Sequence, residues 1–515
     1  MNFARDVIDR LPAGELALLE LARDGSRREW THRQVAERSS RLAGALAARG
    51  IEPGDVVMTL IGNRPEWVFA LSACFRIGAV ALPCTEQLRA KDLALRLRVA
   101  RPALILADER NRDALAAALA AAGAASREPQ VIYLPDERLF ESEPAPPVEL
   151  REEDPCLIVF TSGTAGEPKA VVHGQRYLEG QRLQAAGWLG ARRGELAWCT
   201  AASGWSKSAR NVFIAPWLCG AGALLHDARF DPEERLELLS SEAVNVLCMA
   251  PTEYRVIAKR STLRALPDLR GMVAAGEALN PEVLRSWSEA TGLEIRDGYG
   301  QTETGQMTGA PLSEPVRPGS MGLPLPGVSL EIVDGELVAD PGSLPTFFLG
   351  YLGEHVRRER DGSWAVDDRR GHGPWHTGDR VSRDADGWLH FQGRNDDVIV
   401  SAGYRIGPFE VESALVAHPA VAEAAAVAAP DEERGAVVRA VVVLRDPQRA
   451  GTPQLVAELQ EHVKRETAPY KYPRIIDFAA ELPKTPSGKI RRAALRERQS
   501  APPQDPDPPP AAASA

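Results

Sequence analysis

The sequence has few lysines and cysteines and no long apolar run, and each shortage narrows what the protein can be. Eight lysines stand against fifty-three arginines, so a lysine that is retained indicates a need for a compact charge on a flexible stem. The six cysteines form no C-x-x-C pair, which argues against a zinc site or a disulfide framework and predicts reduced core thiols in a cytoplasmic protein. Because no apolar run approaches the roughly 18 residues of a membrane span, we expect no stable membrane insertion.

The overall charge and length set further limits. The net charge is −10, from 61 basic and 71 acidic residues, and no basic block stands out. We therefore expect no nucleic-acid partner. With 515 residues, 44% of them hydrophobic, the chain is long enough for about three domains or subdomains with large cores.

Strand and helix patterns alternate through the first three hundred residues. A capping-box pattern at Thr31 opens a helix that we expect to run to about Ala48. Residues 56–61 then have the pattern of a buried strand, Pro65–Ile77 that of a helix, and 79–83 that of the next strand. This alternation is typical of a parallel sheet flanked by helices.

The pattern changes after residue 311 to short strands with many turns. We predict an α/β fold whose large N-terminal domain, 1–395, has parallel-type sheets flanked by helices and a small β-rich subdomain at about 312–395. A small α+β C-terminal domain follows at 396–497. Residues 498–515 are mostly Pro, Ala, Ser and Asp, offer little to bury, and predict a disordered tail.

The segment from Thr161 to Lys169 combines hydroxyls, two glycines and one lysine directly after the apolar run 157–160. A strand that ends this way can present backbone N–H groups, hydroxyl donors and a cation to phosphate oxygens. A Walker loop would need Gly and then Lys followed by Ser or Thr, whereas here Pro168 precedes Lys169 and Ala170 follows it. We predict a phosphate loop, the alternative being a solvent loop rich in turn formers.

Six further motifs follow this loop in order along the chain. They are Ala275-Gly276-Glu277, Tyr299-Gly300-Gln301-Thr302-Glu303, Thr377-Gly378-Asp379, 393–397, 403–407 and 483–489. Together with the loop, they resemble the motifs of the adenylate-forming superfamily, which includes acyl-CoA synthetases, the adenylation domains of peptide synthetases, and luciferases. Within it, Gly204-Trp205, 404–408 and 468–473 resemble the medium-chain acyl-CoA synthetases most.

The resemblance implies an acid–thiol ligase that uses ATP, Mg²⁺ and coenzyme A. A carboxylic acid of medium chain length or similar size would become acyl-AMP, with pyrophosphate released, and the acyl group would then pass to CoA. The protein must stabilise charge at the α-phosphate while AMP is installed as the leaving group. An aryl-acid CoA ligase, an enzyme that loads a carrier protein, and a silent adenylate-binding module remain alternatives.

The resemblance also implies the residues of the ATP site. The β- and γ-phosphates would be held by Thr161, Ser162, Gly163, Thr164, Gly166 and Lys169. The adenine and its surroundings would be framed by Gly276, Glu277, Ala278, Asp297, Gly298, Tyr299, Gly300 and Gln301. The ribose would be bound by Asp379, whose carboxylate can accept two hydrogen bonds, and by Arg394. The remaining assignments are Thr302, Arg405 and Lys489 at the α-phosphate and Glu303 on magnesium.

For CoA, the acyl group and the domain movement, the resemblance implies a second set of residues. CoA would be bound by Ser401, Gly403, Tyr404, Arg405, Lys471 and Tyr472. The acyl channel would be lined by Trp205 and left open by Gly300, where short-chain relatives have a tryptophan. The mobile small domain would turn about a hinge at Asp396. Lys489 is also a plausible target for lysine acylation and deacylation enzymes.

Two expectations concern the rest of this region. His173, next to the phosphate loop strand, is expected in the core or behind the site. Between Gly335 and Trp375 the sequence departs from its relatives, which leaves the detailed shape of the β-rich subdomain open.

Overall fold

The computed structural model describes residues 1–123, 128–161, 168–276, 281–359, 361–395, 397–401, 404–431, 434–467, 469–485 and 489–497. These residues divide into two compact units. Unit 1 comprises the described residues of 1–163, 167–377 and 381–391, and unit 2 comprises 378–380 and the described residues from 392 to 497. The predicted domain boundaries stay predictions, and the predicted tail lies outside the described residues.

Short strands dominate the chain. In chain order they are β1 (Leu16–Leu21), β2 (Arg27–Thr31), β3 (Val56–Leu60), β4 (Val80–Cys84), β5 (Leu104–Asp108), β6 (Gln130–Leu134), β7 (Pro155–Phe160), β8 (Ala170–Gly174), β9 (Leu196–Cys199), β10 (Gly222–His226), β11 (Val246–Met249), β12 (Gly271–Ala275), β13 (Ile295–Gln301), β14 (Gly305–Gly309), β15 (Leu323–Pro324), β16 (Leu330–Val333), β17 (Glu336–Ala339), β18 (Gly350–Tyr351), β19 (Val356–Arg358), β20 (Trp364–Val366), β21 (Trp375–Arg383), β22 (Leu389–Arg394), β23 (Ile399–Ser401), β24 (Tyr404–Ile406), β25 (Val421–Asp431), β26 (Gly435–Leu444) and β27 (Ile475–Phe478).

The α-helices alternate with these strands in unit 1 and cover one sheet in unit 2. They are α1 (Phe3–Asp6), α2 (His32–Ala47), α3 (Pro65–Ile77), α4 (Ala90–Ala100), α5 (Arg112–Ala122), α6 (Arg176–Gly180), α7 (Arg182–Gln184), α8 (Ala215–Leu218), α9 (Pro232–Ser241), α10 (Pro251–Arg260), α11 (Pro281–Thr291), α12 (Pro408–Ala417), α13 (Pro453–Glu466) and α14 (Arg492–Glu497). Two π-helical turns, Ala185–Leu189 and Arg210–Ile214, interrupt the α-helical pattern. Among the described residues, no helix is long and apolar enough to cross a membrane.

Unit 1 is built on two large sheets. The nine-stranded sheet has the order β15-β14-β13-β12-β11-β9-β10-β1-β2, with parallel pairing from β13 through to β1. The seven-stranded sheet has the order β18-β8-β7-β4-β3-β5-β6, with parallel pairing from β7 to β6. The predicted α/β class with parallel sheets and helices is confirmed.

Three hydrophobic clusters show how these sheets pack. One cluster contains residues of both sheets together with α2 and α3, and two others contain the opposite faces with their own helices. Strands β3, β4, β5 and β7 are buried at every position, as expected for parallel strands covered on both faces. The carboxyl ends of the parallel strands therefore remain as the edge where polar functional groups can gather.

Helix boundaries follow the local sequence signals. The Thr31 side chain accepts a hydrogen bond from the Gln34 N–H, and the Thr31 N–H donates to Gln34 Oε1, which confirms the predicted capping box. Helix α3 has Pro65 in its first turn and ends at Gly78, which has a φ of +72°. The predicted bounds of α3 are confirmed.

The region between 335 and 375 forms separate short pairings. Strands β16, β17, β21 and β22 make a four-stranded sheet, and β19 and β20 make a hairpin. Strand β18 instead joins the edge of the seven-stranded sheet, where Tyr351 is aligned with Val171 of β8. This pairing brings Tyr351 to the start of the phosphate loop region.

Unit 2 packs helices on a three-stranded sheet of order β25-β26-β27. Its core includes four fully buried side chains, Val411, Leu415, Val442 and Leu459. The Arg492 guanidinium donates hydrogen bonds of 2.7 Å to both oxygens of Glu412, which ties α14 to α12. This unit carries the predicted lysine Lys489.

Candidate active site

The predicted phosphate loop begins and ends on two paired strands. Strand β7 leads into Thr161, and β8 pairs with it in antiparallel fashion after Lys169. The Thr161 N–H donates to the Lys169 carbonyl at 2.9 Å, and the Lys169 N–H donates to Thr161 Oγ1 at 3.1 Å. The two ends of the loop are thus held together. Its predicted phosphate ligands Ser162, Gly163, Thr164 and Gly166 lie outside the described residues.

A cluster around Tyr351 brings Lys169 and Glu303 close together. The Lys169 Nζ lies 4.4 Å from the centre of the Tyr351 ring and 3.1 Å from Glu354 Oε1. The Tyr351 hydroxyl donates to Glu303 Oε1 at 2.8 Å. Burial raises the pKa of Tyr351, and the Glu303 carboxylate raises it further, so the phenol stays a neutral donor. A cation and a carboxylate predicted from motifs 134 residues apart therefore share one tyrosine.

Tyr351 was missed by the sequence reasoning. It lies in the region where the sequence departs from its relatives, and a Gly-Tyr pair offers no chemical signal by itself. Its role appears only because β18 is paired with β8, next to Lys169.

The turn that carries Thr302 and Glu303 is fixed by its neighbours. The Gln301 N–H donates to Thr304 Oγ1 at 3.0 Å, and the Phe348 N–H donates to the Glu303 carbonyl at 2.8 Å. Thr346 Oγ1 donates to the Thr304 carbonyl at 2.5 Å. These bonds hold the backbone of Thr302 and Glu303, so the two side chains start from a set position.

Gln301 is held by groups from β21. The Trp375 Nε1–H donates to Gln301 Oε1 at 2.9 Å, and Gln301 Nε2 donates to the Thr377 carbonyl at 2.8 Å. Because its amide is used at both ends, Gln301 acts as a support for the turn. Its side chain is therefore engaged with protein groups in this structure, and a nucleotide contact by its side chain stays a prediction.

Lys207 lies against Ala275 and the predicted adenine residue Gly276 at the carboxyl edge of the nine-stranded sheet. Its Nζ donates to the Ala275 carbonyl at 2.5 Å, and a Cβ added to Gly276 would lie 2.8 Å from that Nζ. Gly276 has a φ of +101°, where a side chain would also be strained. The sequence reasoning missed Lys207, although its being one of only eight lysines was a usable signal. The adjacent predicted residues Glu277 and Ala278 lie outside the described residues.

Asp297 has a strongly shifted pKa. Part of the residue reaches solvent, yet the protein packed around its carboxyl group raises the pKa to about 8, against the opposing effects of the Gly298 N–H and of Lys207. The Gly298 N–H donates to Asp297 Oδ1 at 2.8 Å. Asp297 can therefore be neutral near pH 7 and offer an O–H donor as well as an acceptor.

Replacing Asp297 with asparagine should change how stability depends on pH. Between the ordinary pKa of 3.8 and about 8, the folded aspartate binds more protons than the unfolded one, so the wild-type protein loses stability as pH rises. The amide does not titrate. The free energy of unfolding of the variant minus that of wild type should therefore rise through this pH window and become constant above it. The slope should be at most about 1 kcal/mol per pH unit, because Asp297 is partly exposed.

Urea unfolding at pH 5, 6.5, 8 and 9 measures this difference. A difference that stays constant from pH 5 to 8 would contradict the raised pKa. Asp384→Asn is a suitable control, because the pKa of Asp384 is lowered below 3.8, so the difference between this variant and wild type should stay constant from pH 5 to 9.

Two glycines of β13 are needed for close packing against β14. A Cβ at Gly298 would lie 2.2 Å from Gln306 Nε2 and 2.7 Å from Trp188 Nε1. A Cβ at Gly300 would lie 1.9 Å from the Gly305 carbonyl oxygen. The neighbouring backbone thus fills the position that a Cβ of residue 300 would take, and the role of Gly300 in leaving an acyl channel open stays a prediction. What lies beside a missing side chain depends on strand pairing, which the sequence does not show.

The other predicted acyl residue, Trp205, is half-buried on a loop that is held at several points. Ser208 Oγ donates to its carbonyl at 2.6 Å, and the Ser203 N–H donates to Asn63 Oδ1 at 2.8 Å. Gly204 has a φ of +91°, and a Cβ there would lie 2.3 Å from the Thr85 N–H nitrogen. Gly204 is therefore required by the close approach of this loop to the end of β4, and the position of Trp205 follows from it.

In unit 2, the predicted ribose residues lie together. Asp379 is 4% exposed, and Arg394 Nη1 lies 3.7 Å from its Oδ1. The Asn395 N–H donates to the Gly378 carbonyl at 2.8 Å, which joins the end of β22 to β21. The structure therefore brings together the carboxylate and the guanidinium that the motifs predicted.

The predicted CoA residues of unit 2 occupy two environments. Tyr404 is 53% exposed and stacks on Tyr470, with ring centroids 4.4 Å apart and an angle of 22°. Lys471 forms an ion pair with Glu410, and Tyr472 packs against the unit 2 core with Lys464 Nζ at 4.3 Å from its ring centre. Ser401 is buried, whereas Gly403 and the side chain of Arg405 lie outside the described residues. CoA binding by this group stays a prediction.

Lys489 lies at the end of a short closed loop. Its N–H donates to Thr485 Oγ1 at 3.1 Å, and the Thr485 N–H donates to the Lys489 carbonyl at 2.8 Å. Nearby, Lys484 is engaged in a 2.6 Å ion pair with Glu423. Lys484 is thus used in a surface ion pair. The predicted hinge residue, Asp396, lies outside the described residues.

His173 lies in the core, as expected from the sequence, and most of the cysteines are buried as well. His173 is 0% exposed, and burial lowers its pKa to about 3. All six cysteines are free thiols, and five of them are buried. Among the described residues, no group of three or more His, Cys, Asp or Glu side chains could hold a metal ion.

The fold and these motifs define an enzyme of the AMP-binding class. Residues 7–344 match the AMP-binding enzyme family, and residues 410–489 match the AMP-binding enzyme C-terminal domain. The chain belongs to this family, which confirms the predicted membership of the adenylate-forming superfamily.

Relatives in the family narrow the class. The chain is 37% identical over 529 residues to the human mitochondrial acyl-coenzyme A synthetase ACSM4, covering 97% of this chain and 90% of the relative. It is 38% identical over 508 residues to the acyl-CoA ligase YtcI of Bacillus subtilis, covering 94% and 93%. The crystal structure of the anthranilate CoA ligase AuaEII with anthranoyl-AMP is similar at a TM-score of 0.84 and 29% identity, covering 97% of both chains. The predicted class, AMP-forming acid–thiol ligases of the acyl-CoA synthetase type, is confirmed, and enzymes of this class use ATP and CoA.

Proposed function

We propose that the protein activates a carboxylic acid of medium chain length or similar size in two steps. The acid carboxylate attacks the α-phosphorus of ATP, pyrophosphate leaves, and acyl-AMP forms. The CoA thiolate then attacks the acyl carbon, and AMP leaves. The observation that carries this proposal is the cluster in which Lys169 and Glu303 lie on either side of Tyr351.

The cluster supplies what the first step needs. Lys169 offers a cation for the β- and γ-phosphates, and Glu303 offers a carboxylate for Mg²⁺. When bound, Mg²⁺ neutralises charge on the phosphates and on the departing pyrophosphate. Tyr351 keeps the Glu303 carboxylate in one orientation through its hydroxyl, so less order has to be gained when ATP binds.

The other residues take the roles that their motifs predict. Thr302 contacts the α-phosphate, Asp379 and Arg394 bind the ribose, and Asp297 meets the adenine from the end of β13. Lys489 approaches the α-phosphate and the acid carboxylate during adenylation. Its acylation would remove that charge, which makes it a site for regulation by lysine acylation and deacylation enzymes. We place the enzyme in the cytoplasm on the strength of its free thiols.

Pyrophosphate release with ATP, Mg²⁺ and a panel of acids tests the proposal. The panel contains acetate, hexanoate, octanoate, a branched acid, benzoate and anthranilate, and each acid is then tested for thioester formation with CoA. Release with a six- to eight-carbon acid and transfer to CoA support it. If no acid of the panel leads to pyrophosphate release, the protein is a silent binding module. If acyl-AMP forms but the acyl group is not transferred to CoA, the protein is a carrier-loading enzyme.

An aryl-acid CoA ligase is the second candidate. It is favoured by the similarity to the anthranilate CoA ligase structure, which exceeds a TM-score of 0.8 over 97% of the chain. Both candidates share every ATP residue described above. The benzoate and anthranilate arms of the same assay decide between them.

We also propose that residues 1–395 and 396–497 are separate domains with a hinge at Asp396. Pyrophosphate must leave before CoA enters, and rotation of the small domain would withdraw Lys489 and bring in the face of Ser401 and Tyr404. Asp396→Pro should fix φ near −65° and obstruct rotation. Adenylation should survive, while thioester formation should fall steeply. The control is Asp396→Ala, which leaves the backbone free, and equal retention of both steps in the proline variant would sink the hinge assignment.

A further inference from the structure

Arg210 stands apart from the other buried arginines of the protein. It is 3% exposed at the start of the π-helical turn Arg210–Ile214, and its Nε and Nη1 have no hydrogen-bond partner in the part of the chain that the structure describes. The three other arginines that are at most 6% exposed are each paired with a carboxylate: Arg76 with Asp9, Arg176 with Asp368, and Arg235 with Glu253. Among the described residues, Arg210 has no such carboxylate.

The groups around Arg210 cannot neutralise it. The His173 ring is fully buried, and burial together with Arg210 lowers its pKa to about 3. The Tyr177 ring lies 3.9 Å from that of His173, and burial raises the pKa of Tyr177, so it stays a neutral phenol. Arg210 therefore sits among neutral groups.

More unsatisfied polar atoms surround this arginine. Gln184 Nε2 donates to Asn211 Oδ1 at 2.9 Å, which leaves Gln184 Oε1 and Asn211 Nδ2 without a partner. Buried polar atoms are nearly always satisfied in folded proteins, so a group of them left open points to a missing ligand.

The position of Arg210 connects it to the acyl site. It follows Trp205 by five residues on the same segment, and the intervening Lys207 is bonded to the Ala275 carbonyl at the carboxyl edge of the nine-stranded sheet. The His173 ring is close both to Arg210 and to the backbone of Thr302. Arg210 thus lies on the segment that carries Trp205, and His173 connects it to the residue predicted at the α-phosphate.

A guanidinium keeps its proton in proteins, so burial of Arg210 without a counter-charge is costly. A carboxylate can accept two parallel N–H bonds from a guanidinium and supply the missing charge. We propose that Arg210 binds a second carboxylate on the acid substrate, so that the preferred substrates are dicarboxylic acids activated at one end. This rests on the proposed function and names the substrate class of the same site.

Matched acids test this inference on the wild-type enzyme. Adipate is compared with hexanoate and suberate with octanoate, and kcat/KM is measured for pyrophosphate release at saturating ATP. Wild type should favour the diacid of at least one pair by ten-fold or more. Arg210→Met, which keeps length without charge, should lower kcat/KM for that diacid by about 10²-fold and reverse the preference. Arg210→Lys keeps the charge but lacks the forked pair of N–H donors, so its kcat/KM for that diacid should lie between those of wild type and Arg210→Met.

Arg182→Met is the matched control, since Arg182 is 54% exposed and paired with Glu179. It should leave the ratio of diacid to monoacid unchanged. If wild type and Arg210→Lys both activate the monoacids better than the diacids, the inference is overturned while the proposed function stands. If pyrophosphate is released from ATP with none of the four acids, both the inference and the proposed function are overturned.

Discussion

Replacing Lys489 with alanine should abolish acyl-AMP formation while sparing the second half-reaction. This lysine is predicted to meet the α-phosphate and the acid carboxylate only during adenylation. Loss of one cation that acts in the transition state typically costs about 10²–10³ in rate. Pyrophosphate release should fall by that factor, whereas thioester formation from supplied acyl-AMP and CoA should stay close to wild type.

Lys484→Ala is the control, because Lys484 lies on the same segment and is paired with Glu423 at 2.6 Å. It should change neither half-reaction by more than a few-fold, since exposed ion pairs contribute little. If both half-reactions of Lys489→Ala fell equally, the role given to Lys489 would be wrong.

The second large effect is expected for Glu303→Gln. The amide has the shape of the carboxylate and can still accept the Tyr351 hydrogen bond, but it lacks the charge that Mg²⁺ needs. Adenylation should fall by about two to three orders of magnitude. The concentration of Mg²⁺ that gives half-maximal rate should rise, and transfer from supplied acyl-AMP should persist.

Two variants separate charge from position in this cluster. Tyr351→Phe removes the hydrogen bond and leaves the Glu303 carboxylate, so the rate should fall by about ten-fold with little change in the Mg²⁺ requirement. Glu354→Gln removes an exposed carboxylate that is paired with Lys169, and its effect should be small. If Glu354→Gln were as damaging as Glu303→Gln, the metal would have to be assigned differently.

Local structure was predicted well where neighbouring residues decide it. Helix Pro65–Ile77 has the predicted bounds, because a proline in the first turn and a glycine after the last turn set where a helix starts and ends. Strand ends were less accurate: 56–61 was predicted and Val56–Leu60 is found. A strand ends where its partner does, and here the pairing of β3 with β4 ends at Leu60 and Cys84.

Gly300 marks the limit of reading a site from motifs. An absent side chain suggested open space, but the backbone of Gly305 fills the position that a Cβ there would take. The alignment of β14 against β13 decides this, and no residue near 300 in the sequence reports that alignment.

The sequence by itself determined the family and the reaction class and supplied the prediction of the ATP residues, because each motif is a short run whose chemistry can be recognised without knowing its neighbours. Only the tertiary structure decided that Tyr351 joins Lys169 to Glu303, that Lys207 reaches the Ala275 carbonyl, and that Arg210 is buried with no carboxylate partner among the described residues. These contacts join residues far apart in the chain. They depend on sheet order and on burial, which arise when distant segments pack together.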